Sequence, residues 1–247
     1  MGIKPNTPER IPLYMTDEHP CSYLDTEMAR TAFIDPSFRV SKPIYSSLNQ
    51  QGFRRSGDFF YRPQCKACDR CKPLRIPAAS FQPSRSQRRN LKKNSDIVAV
   101  IKSDPDIWEY YGLYRRYLKS RHADGDMYPP DPTQYESFIG SRSDCVRYVE
   151  YYLDQQLVMV SVMDRLPDAL SAVYTFFDPE YAHRGLGNFA VLWQISQAKE
   201  MAIPYLYLGF WIEASPKMNY KTQYRPYEIL LDQRWQAPKT QEKTEES

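Results

Sequence analysis

The chain reads as an α/β protein of two unequal parts, a smaller cysteine-bearing N-terminal part and a larger mixed-sheet part after it. Three observations predict this. First, three β-like runs (Val146–Leu153, Leu157–Met163, Ser171–Phe177) follow one another across the short connections Asp154-Gln155-Gln156 and Leu166-Pro167-Asp168. That is the pattern of an antiparallel meander. Second, Arg184-Gly185-Leu186-Gly187 then opens a helix, and a strong last strand, 205–211, follows it. A strand, a crossover helix and a strand place the two strands parallel. Third, Cys65, Cys68 and Cys71 stand at two-residue gaps inside the stretch 52–93, where twelve Lys/Arg face two acidic residues. The window is +10 in a chain whose total is +3.

Taken in order, residues 1–20 are polar and punctuated by proline, an extended lead-in. Asp25 to Phe33 is expected as a short helix closed by Asp35-Pro36, and a second helix, from Ile44 to Gln51, ends at Gly52 as a C-cap. Phe59-Phe60-Tyr61 and Leu74-Arg75-Ile76 read as short strands around the cysteines. The polar, basic run from Ser84 to Asn94 is either a helix or a mobile arm. Asp104 is the expected N-cap, with Pro105 at the first helical position, of a helix whose stripe is Ile107, Tyr110, Tyr111, Tyr114, Tyr117 and Leu118. A turn-rich stretch (124–132) precedes a short helix from Thr133 to Ile139. The helix after the glycine turn runs from Asn188 to about Met201 on a stripe that includes Phe189, Leu192, Ile195 and Ala198. The expected division is a lead-in (1–20), a basic cysteine-containing domain (21–100), a mixed-sheet domain (101–235) and a disordered tail (236–247).

At 247 residues, 42% hydrophobic and 26% charged, the composition is that of a soluble globular protein able to bury a core. No run approaches the ~20 apolar residues that span a bilayer, and the N-terminus lacks a signal-peptide core. Five cysteines, three of them crowded together, suit reduced thiols or metal ligation in a cytosol better than a secreted disulfide framework. The expectation is therefore a cytoplasmic protein with no membrane partner. The positive window points to a nucleic-acid partner. Tyrosine is abundant, 20 residues, and serves as core filler or stacking surface alike.

Meander, glycine turn, helix and parallel strand occur in the order of acetyltransferase-like (GNAT) folds, whose glycine turn binds a phosphate-bearing acyl donor. Several segments carry a more specific resemblance: Cys21-Ser-Tyr-Leu24, Gly52-Phe-Arg-Arg-Ser-Gly-Asp58, Tyr61-Arg-Pro-Gln-Cys-Lys-Ala-Cys-Asp-Arg-Cys71 and Pro83-Ser-Arg-Ser-Gln-Arg-Arg89. Further along stand Arg121-His-Ala-Asp-Gly-Asp-Met-Tyr-Pro-Pro130, Ser171-Ala-Val-Tyr-Thr-Phe-Phe-Asp-Pro179, Tyr207-Leu-Gly-Phe-Trp-Ile212 and Ser215-Pro-Lys-Met-Asn-Tyr-Lys-Thr-Gln-Tyr-Arg-Pro226. Together, over roughly 20–235, the chain resembles the arginyl-tRNA–protein transferase family, closest to its bacterial, leucine-transferring branch. The resemblance implies a cytoplasmic N-degron enzyme with a GNAT-like transfer domain. It would move leucine from leucyl-tRNA, with arginyl-tRNA the alternative donor, onto an N-terminal Asp or Glu. Two positions depart from the family: Gly185 stands where relatives usually carry serine, and Phe210 where they often carry tyrosine.

The implied reaction is attack of an α-amine on an aminoacyl ester. With a pKa of about 8, roughly a tenth of the amine is neutral at pH 7, so positioning and oxyanion stabilisation carry most of the rate. No cofactor is required for transfer. The scattered histidines (His19, His122, His183) form no triad. Reading an acidic acceptor calls for a fixed cation, preferably arginine; Arg54, Arg55 and Arg121 lie in the family segments. Asp178 and Tyr174, at the end of the central strand, are the catalytic candidates: Asp178 would hold the amine or accept its proton, or else serve as an ordinary Asp-Pro turn. For aminoacyl-tRNA the candidates are Gly185 and Gly187, with Lys217, Tyr220, Lys221 and Tyr224 interleaving cations and rings. Cys65, Cys68 and Cys71, with Cys21 as a fourth, are either ligands of a structural zinc or iron–sulfur cluster or reduced, packed thiols. Two rival readings remain open here. An acyl-CoA N-acetyltransferase would be stabilised by coenzyme A, and a non-catalytic nucleic-acid-binding module would form no peptide product.

Overall fold

The computed structural model describes residues 11–123, 125 and 127–238. The N-terminal strands are short: β1 (Leu13–Met15), β2 (His19–Pro20), β3 (Met28–Ala29) and β4 (Thr31–Ile34). The helix expected over Asp25–Phe33 is therefore replaced by strands. Along β4, Ala32 and Ile34 are buried while Thr31 and Phe33 are half-buried, the two-residue period of a strand, and β4 is paired on both sides. Helix α1 (Lys42–Gln50) buries Tyr45 and Leu48 and ends, as expected, at Gly52, whose φ of 85° is left-handed. β5 (Arg54–Ser56) and β6 (Phe59–Pro63) complete a four-stranded sheet in the order β1-β4-β6-β5. The turn between them needs glycine: a Cβ on Gly57 would lie 1.9 Å from the Ser137 carbonyl oxygen.

β7 (Lys72–Pro77) leaves the cysteine run. It is followed by α2 (Arg85–Lys93), which resolves the alternatives for 84–94 in favour of a helix. Ser84 caps it and accepts from the Gln87 amide, while the Gln87 side chain accepts from the Ser84 amide. β8 (Val98–Lys102), absent from the sequence reading, follows. The next cap is Asp106 rather than Asp104: its carboxylate accepts from the Trp108 amide and opens a 3-10 turn, Ile107–Tyr110, ahead of α3 (Tyr111–Arg121). α4 (Pro132–Ile139) is capped by Asp131.

The meander is as expected: β9 (Val146–Leu153), β10 (Gln156–Arg165) and β11 (Ala169–Phe177) pair antiparallel. Then α5 (Leu186–Glu200) crosses to β12 (Tyr205–Trp211), which pairs parallel with β11. β13 (Glu228–Leu231) and β14 (Arg234–Gln236) close the chain. β14 lies where the disordered tail was expected to begin; residues 239–247 and 1–10 lie outside the described residues. The large sheet runs β14-β13-β7-β12-β11-β10-β9-β8. It draws β7 and most of β8 from before residue 101 and so spans the boundary expected there.

Two cores cover the two faces of this sheet, and β10 feeds both: Met159 and Met163 face α5, Val160 and Val162 face α3 and α4. α5 is buried beyond its expected stripe, with Leu186, Ala190 and Val191 also inside. α2 packs on it. Asn90 and Asn94 donate to the Arg184 carbonyl, Lys93 donates to that of His183, and Arg184 pairs with Asp96 at 2.6 Å. The basic helix is thereby fixed beside the glycine turn.

Candidate active site

β11 and β12 stay paired over three registers only, Ala169↔Tyr205, Leu170↔Leu206 and Ser171↔Tyr207. From Ala172 the strands part. β12 bulges in its pairing with β7 around Gly209, whose φ of 82° requires glycine, while β11 continues along β10. Arg54 enters this parting from β5. Its Nη2 donates to the Ala172 carbonyl at 2.6 Å, and its buried Nη1 has no hydrogen-bond partner. Lys221, on a 3-10 turn (Asn219–Gln223) after β12, comes in from the other side and donates to the Phe210 carbonyl at 2.5 Å and to Met218 Sδ at 3.1 Å. Both residues are buried, 6% and 7% exposed. Burial, with Arg54 alongside, holds the Lys221 ammonium down to about 7; Cys71 acts in the opposite sense.

Aromatic rings wall the parting. Tyr61 packs on Phe210 with centroids 6.1 Å apart, and Tyr220 lies 45% exposed beside Lys221. Tyr174 on β11 is edge-on to Phe138 at 4.9 Å and to Tyr117 at 6.4 Å. Its buried hydroxyl has no partner, and burial pushes its pKa well up, so it stays a proton donor across the physiological range.

The structure sorts the remaining candidates. Arg55 is corrected: its guanidinium donates Nε to Asp164 Oδ2 at 2.9 Å, Nη2 to Oδ1 at 2.6 Å and Nη1 to the Gly57 carbonyl. Both side chains are 0% exposed, so it has nothing left for a substrate. For Asp178 the structure favours the turn reading: it is 3% exposed, caps the 3-10 turn Pro179–Arg184 through the Glu180 amide, and takes Arg116 Nη2 at 2.7 Å. Tyr224 is no stacking surface; it is 2% exposed, with its hydroxyl donating to Asn188 Oδ1. Lys217 is exposed on the loop after β12, and Arg121, exposed at the end of α3, lies 5.9 Å from the Phe177 ring. The histidines sit on local contacts: His19 on the Asp17 carbonyl, His183 on that of Glu180, His122 against Tyr117.

Gly185 caps α5 at φ 68°, its amide spent on the Ala182 carbonyl; Gly187 lies in the first turn against Phe177. A side chain at Gly185 would strain the backbone and place its Cβ 2.8 Å from Asn90 Nδ2, an atom bonded to the Arg184 and Gly185 carbonyls. Gly185→Ala is therefore expected to lower stability by roughly 1–2 kcal/mol for the left-handed conformation, read as a drop in melting temperature. An unchanged melt would contradict this placement.

Cys65, Cys68 and Cys71 line one cavity with Leu230 and Asp232, and Cys21 acts on Cys71 electrostatically. Burial and the other three thiols push Cys71 up to about 12. Cys65 also accepts from the Arg30 amide. No group of three or more His, Cys, Asp or Glu among the described residues stands in metal-binding geometry. A four-thiol donor set nonetheless has the chemistry of a zinc or iron–sulfur site. A cavity of about 770 Å³ lies elsewhere, between α1 and the Asp58 corner. Of the cations lining it, Lys42 pairs with Asp144, Arg142 with Asp58 and Arg55 with Asp164.

What the sequence reading missed is the meeting of Arg54 with Lys221, more than 160 residues later. Only the β12 bulge, signalled by Gly209 inside an apolar strand, hinted at a close approach there.

A sheet of this order, whose single parallel pair among the described strands opens around buried cations, is of the GNAT-like acyltransferase kind. The chain belongs to the arginine-tRNA-protein transferase family. Residues 19–89 match the model described as "Arginine-tRNA-protein transferase, N terminus" and residues 109–231 the one for the C terminus. Over 227 residues it is 51% identical to a protein of Teredinibacter turnerae named aspartate/glutamate leucyltransferase, covering 92% of this chain and 93% of that one. A Pseudomonas putida protein of the same name is 49% identical over 92% of this chain and 96% of its own. Among solved structures, a C-terminal domain (DUF2156) from Agrobacterium fabrum aligns at a TM-score of 0.49 and 9% identity, covering 78% of this chain and 62% of that one. No described helix is long and apolar enough to cross a membrane.

Proposed function

We propose that this protein takes leucine from leucyl-tRNA and joins it to the N-terminal Asp or Glu of a protein in the cytoplasm, creating a degradation signal. The observation that carries the reading is Arg54, a buried guanidinium with an unpartnered Nη1 at the parting of β11 and β12. A buried cation of this kind calls for an anion. The acidic acceptor supplies one beside the amine that must react.

The neutral α-amine attacks the ester carbonyl, and the tetrahedral intermediate collapses to the new amide as the terminal ribose oxygen of the tRNA leaves. The proton lost by the amine goes to that oxygen. Arg54 fixes the acceptor's side chain, the geometry on which the rate chiefly depends. The Tyr174 hydroxyl, protonated and unpartnered, is the donor for the developing oxyanion. Arg121 lies on the helix whose Tyr117 lines the same wall and offers the acceptor an exposed cation at the rim of the site. On the donor side, Tyr220 offers an exposed ring for a terminal base, and Lys217 a charge for a phosphate. Gly185 and Gly187, on the donor side, let the α5 turn pack closely against the basic helix α2. The four thiols would hold a zinc or an iron–sulfur cluster that braces the cysteine run, and no step of the transfer passes through it.

The test pairs leucyl-tRNA or arginyl-tRNA with peptides beginning Asp, Glu, Arg or Ala. Leucine appearing on the Asp and Glu peptides alone supports the reading. Arginine transfer in its place reassigns the donor, and transfer to none of them overturns the proposal.

A further inference from the structure

Lys221 entered the sequence reading as a tRNA contact; its place in the fold gives it a different task. Its Nζ lies 3.7 Å from the position a Cβ on Gly209 would take, and Arg54 Nη2 lies 3.7 Å from the same point. Both cations thus stand within van der Waals reach of the one position that Gly209 leaves without a side chain. Lys221 spends donors on two neutral acceptors, the Phe210 carbonyl and Met218 sulfur, and Arg54 spends Nη2 on another, the Ala172 carbonyl. Neither forms a salt bridge among the described residues, whereas the other buried cation of this region, Arg55, is fully matched by Asp164. Two like charges brought together in a dry site repel each other unless an anion joins them. Lys221 stands beside Arg54 in such a site. The charged and titratable groups around it are Arg54 from β5, Cys71 ahead of β7 and Tyr220 from its own turn. A tRNA phosphate, carried on a bulky backbone, is a poor match for a 7%-exposed amine, while a carboxylate on a short side chain can reach it.

We propose that Lys221 and Arg54 are the two halves of one socket for the acceptor's side-chain carboxylate, and that Lys221 sets acceptor choice rather than gripping tRNA. This rests on the reading of the acceptor as an acidic N-terminus.

The test uses the full-length Lys221→Met variant, peptides beginning Asp or Asn, and leucyl-tRNA. Removing one donor to a buried carboxylate should raise KM for the Asp peptide by about tenfold to a hundredfold and erase the preference for Asp over Asn. Leucyl-tRNA binding should stay within about twofold, since that loss falls on the acceptor alone. Lys221→Arg should keep part of the preference. An intact Asp preference together with weakened tRNA binding would overturn the proposal and return Lys221 to the tRNA. If the wild type itself uses no acidic peptide, the functional reading falls and this inference with it. Should Lys221→Met fail to fold, acylation of Lys221 in the wild type by acetic anhydride, read by mass spectrometry, decides. Protection by the Asp peptide and not by tRNA supports the socket; protection by tRNA alone overturns it.

Discussion

Asp164→Ala is expected to destabilise the protein by about 3–5 kcal/mol, because it strips the counter-ion from a fully buried guanidinium. Asp164 lies on β10 of the large sheet and Arg55 on β5 of the small one; the carboxylate takes two guanidinium bonds and the Tyr45 hydroxyl at 2.7 Å. These contacts tie both sheets to α1. Losing them leaves Arg55 and Tyr45 buried with unmade hydrogen bonds, which costs more than the pair contributes when intact. For a chain of this length the melting temperature should fall by roughly 10 °C. Arg55→Met combined with Asp164→Leu should recover much of the loss, since two apolar side chains leave no uncompensated charge. A drop under about 1 kcal/mol for Asp164→Ala would mean that water reaches the pair.

The largest expected effect on substrate binding is at α2. Arg85, Arg89 and Lys92 are exposed there, while Arg88 and Lys93 spend bonds on the Pro83 and His183 carbonyls. The capping box at Ser84 and the clamp from Asn90 and Asn94 to the Arg184 carbonyl set this charged face beside the turn that opens α5. Replacing Arg85, Arg89 and Lys92 by glutamine should weaken tRNA binding by about a hundredfold at low salt and reduce the slope of log K against log salt by about 2–3. Binding measured across a salt series checks both. Since the acceptor socket is elsewhere, the Asp-over-Asn preference should survive. A tRNA affinity with an unchanged salt slope would place the acceptor stem on another surface.

The transfer half of the fold was legible in the sequence because its signals are local and repeated. Alternation marked β9 to β11, the Gly185 turn marked the entry to α5, and the apolar run of β12 after a crossover helix fixed a parallel pair. The first hundred residues were harder. Strands of two to four residues, such as β3 and β4, carry too few alternations to oppose a helical reading, and β8 is half-exposed at a sheet edge. The site was legible only in its members. Arg54 and Arg55 are adjacent and read alike, yet strand alternation sends one to the parting of β11 and β12 and the other to Asp164. Asp178 followed by proline suggested a catalytic carboxylate as readily as a cap, and the cap with its Arg116 partner is what the fold uses. No sequence pattern joins Lys221 to Arg54, because β12, its bulge and the returning turn create that contact.

The most direct measurement is the site of the new bond in the product. Incubating the protein with leucyl-tRNA and a peptide beginning with Asp, then sequencing the product by fragmentation, should place leucine on the α-nitrogen of that Asp, with uncharged tRNA released in equal amount. Release of free leucine without a modified peptide, or leucine on any other group, would contradict the account.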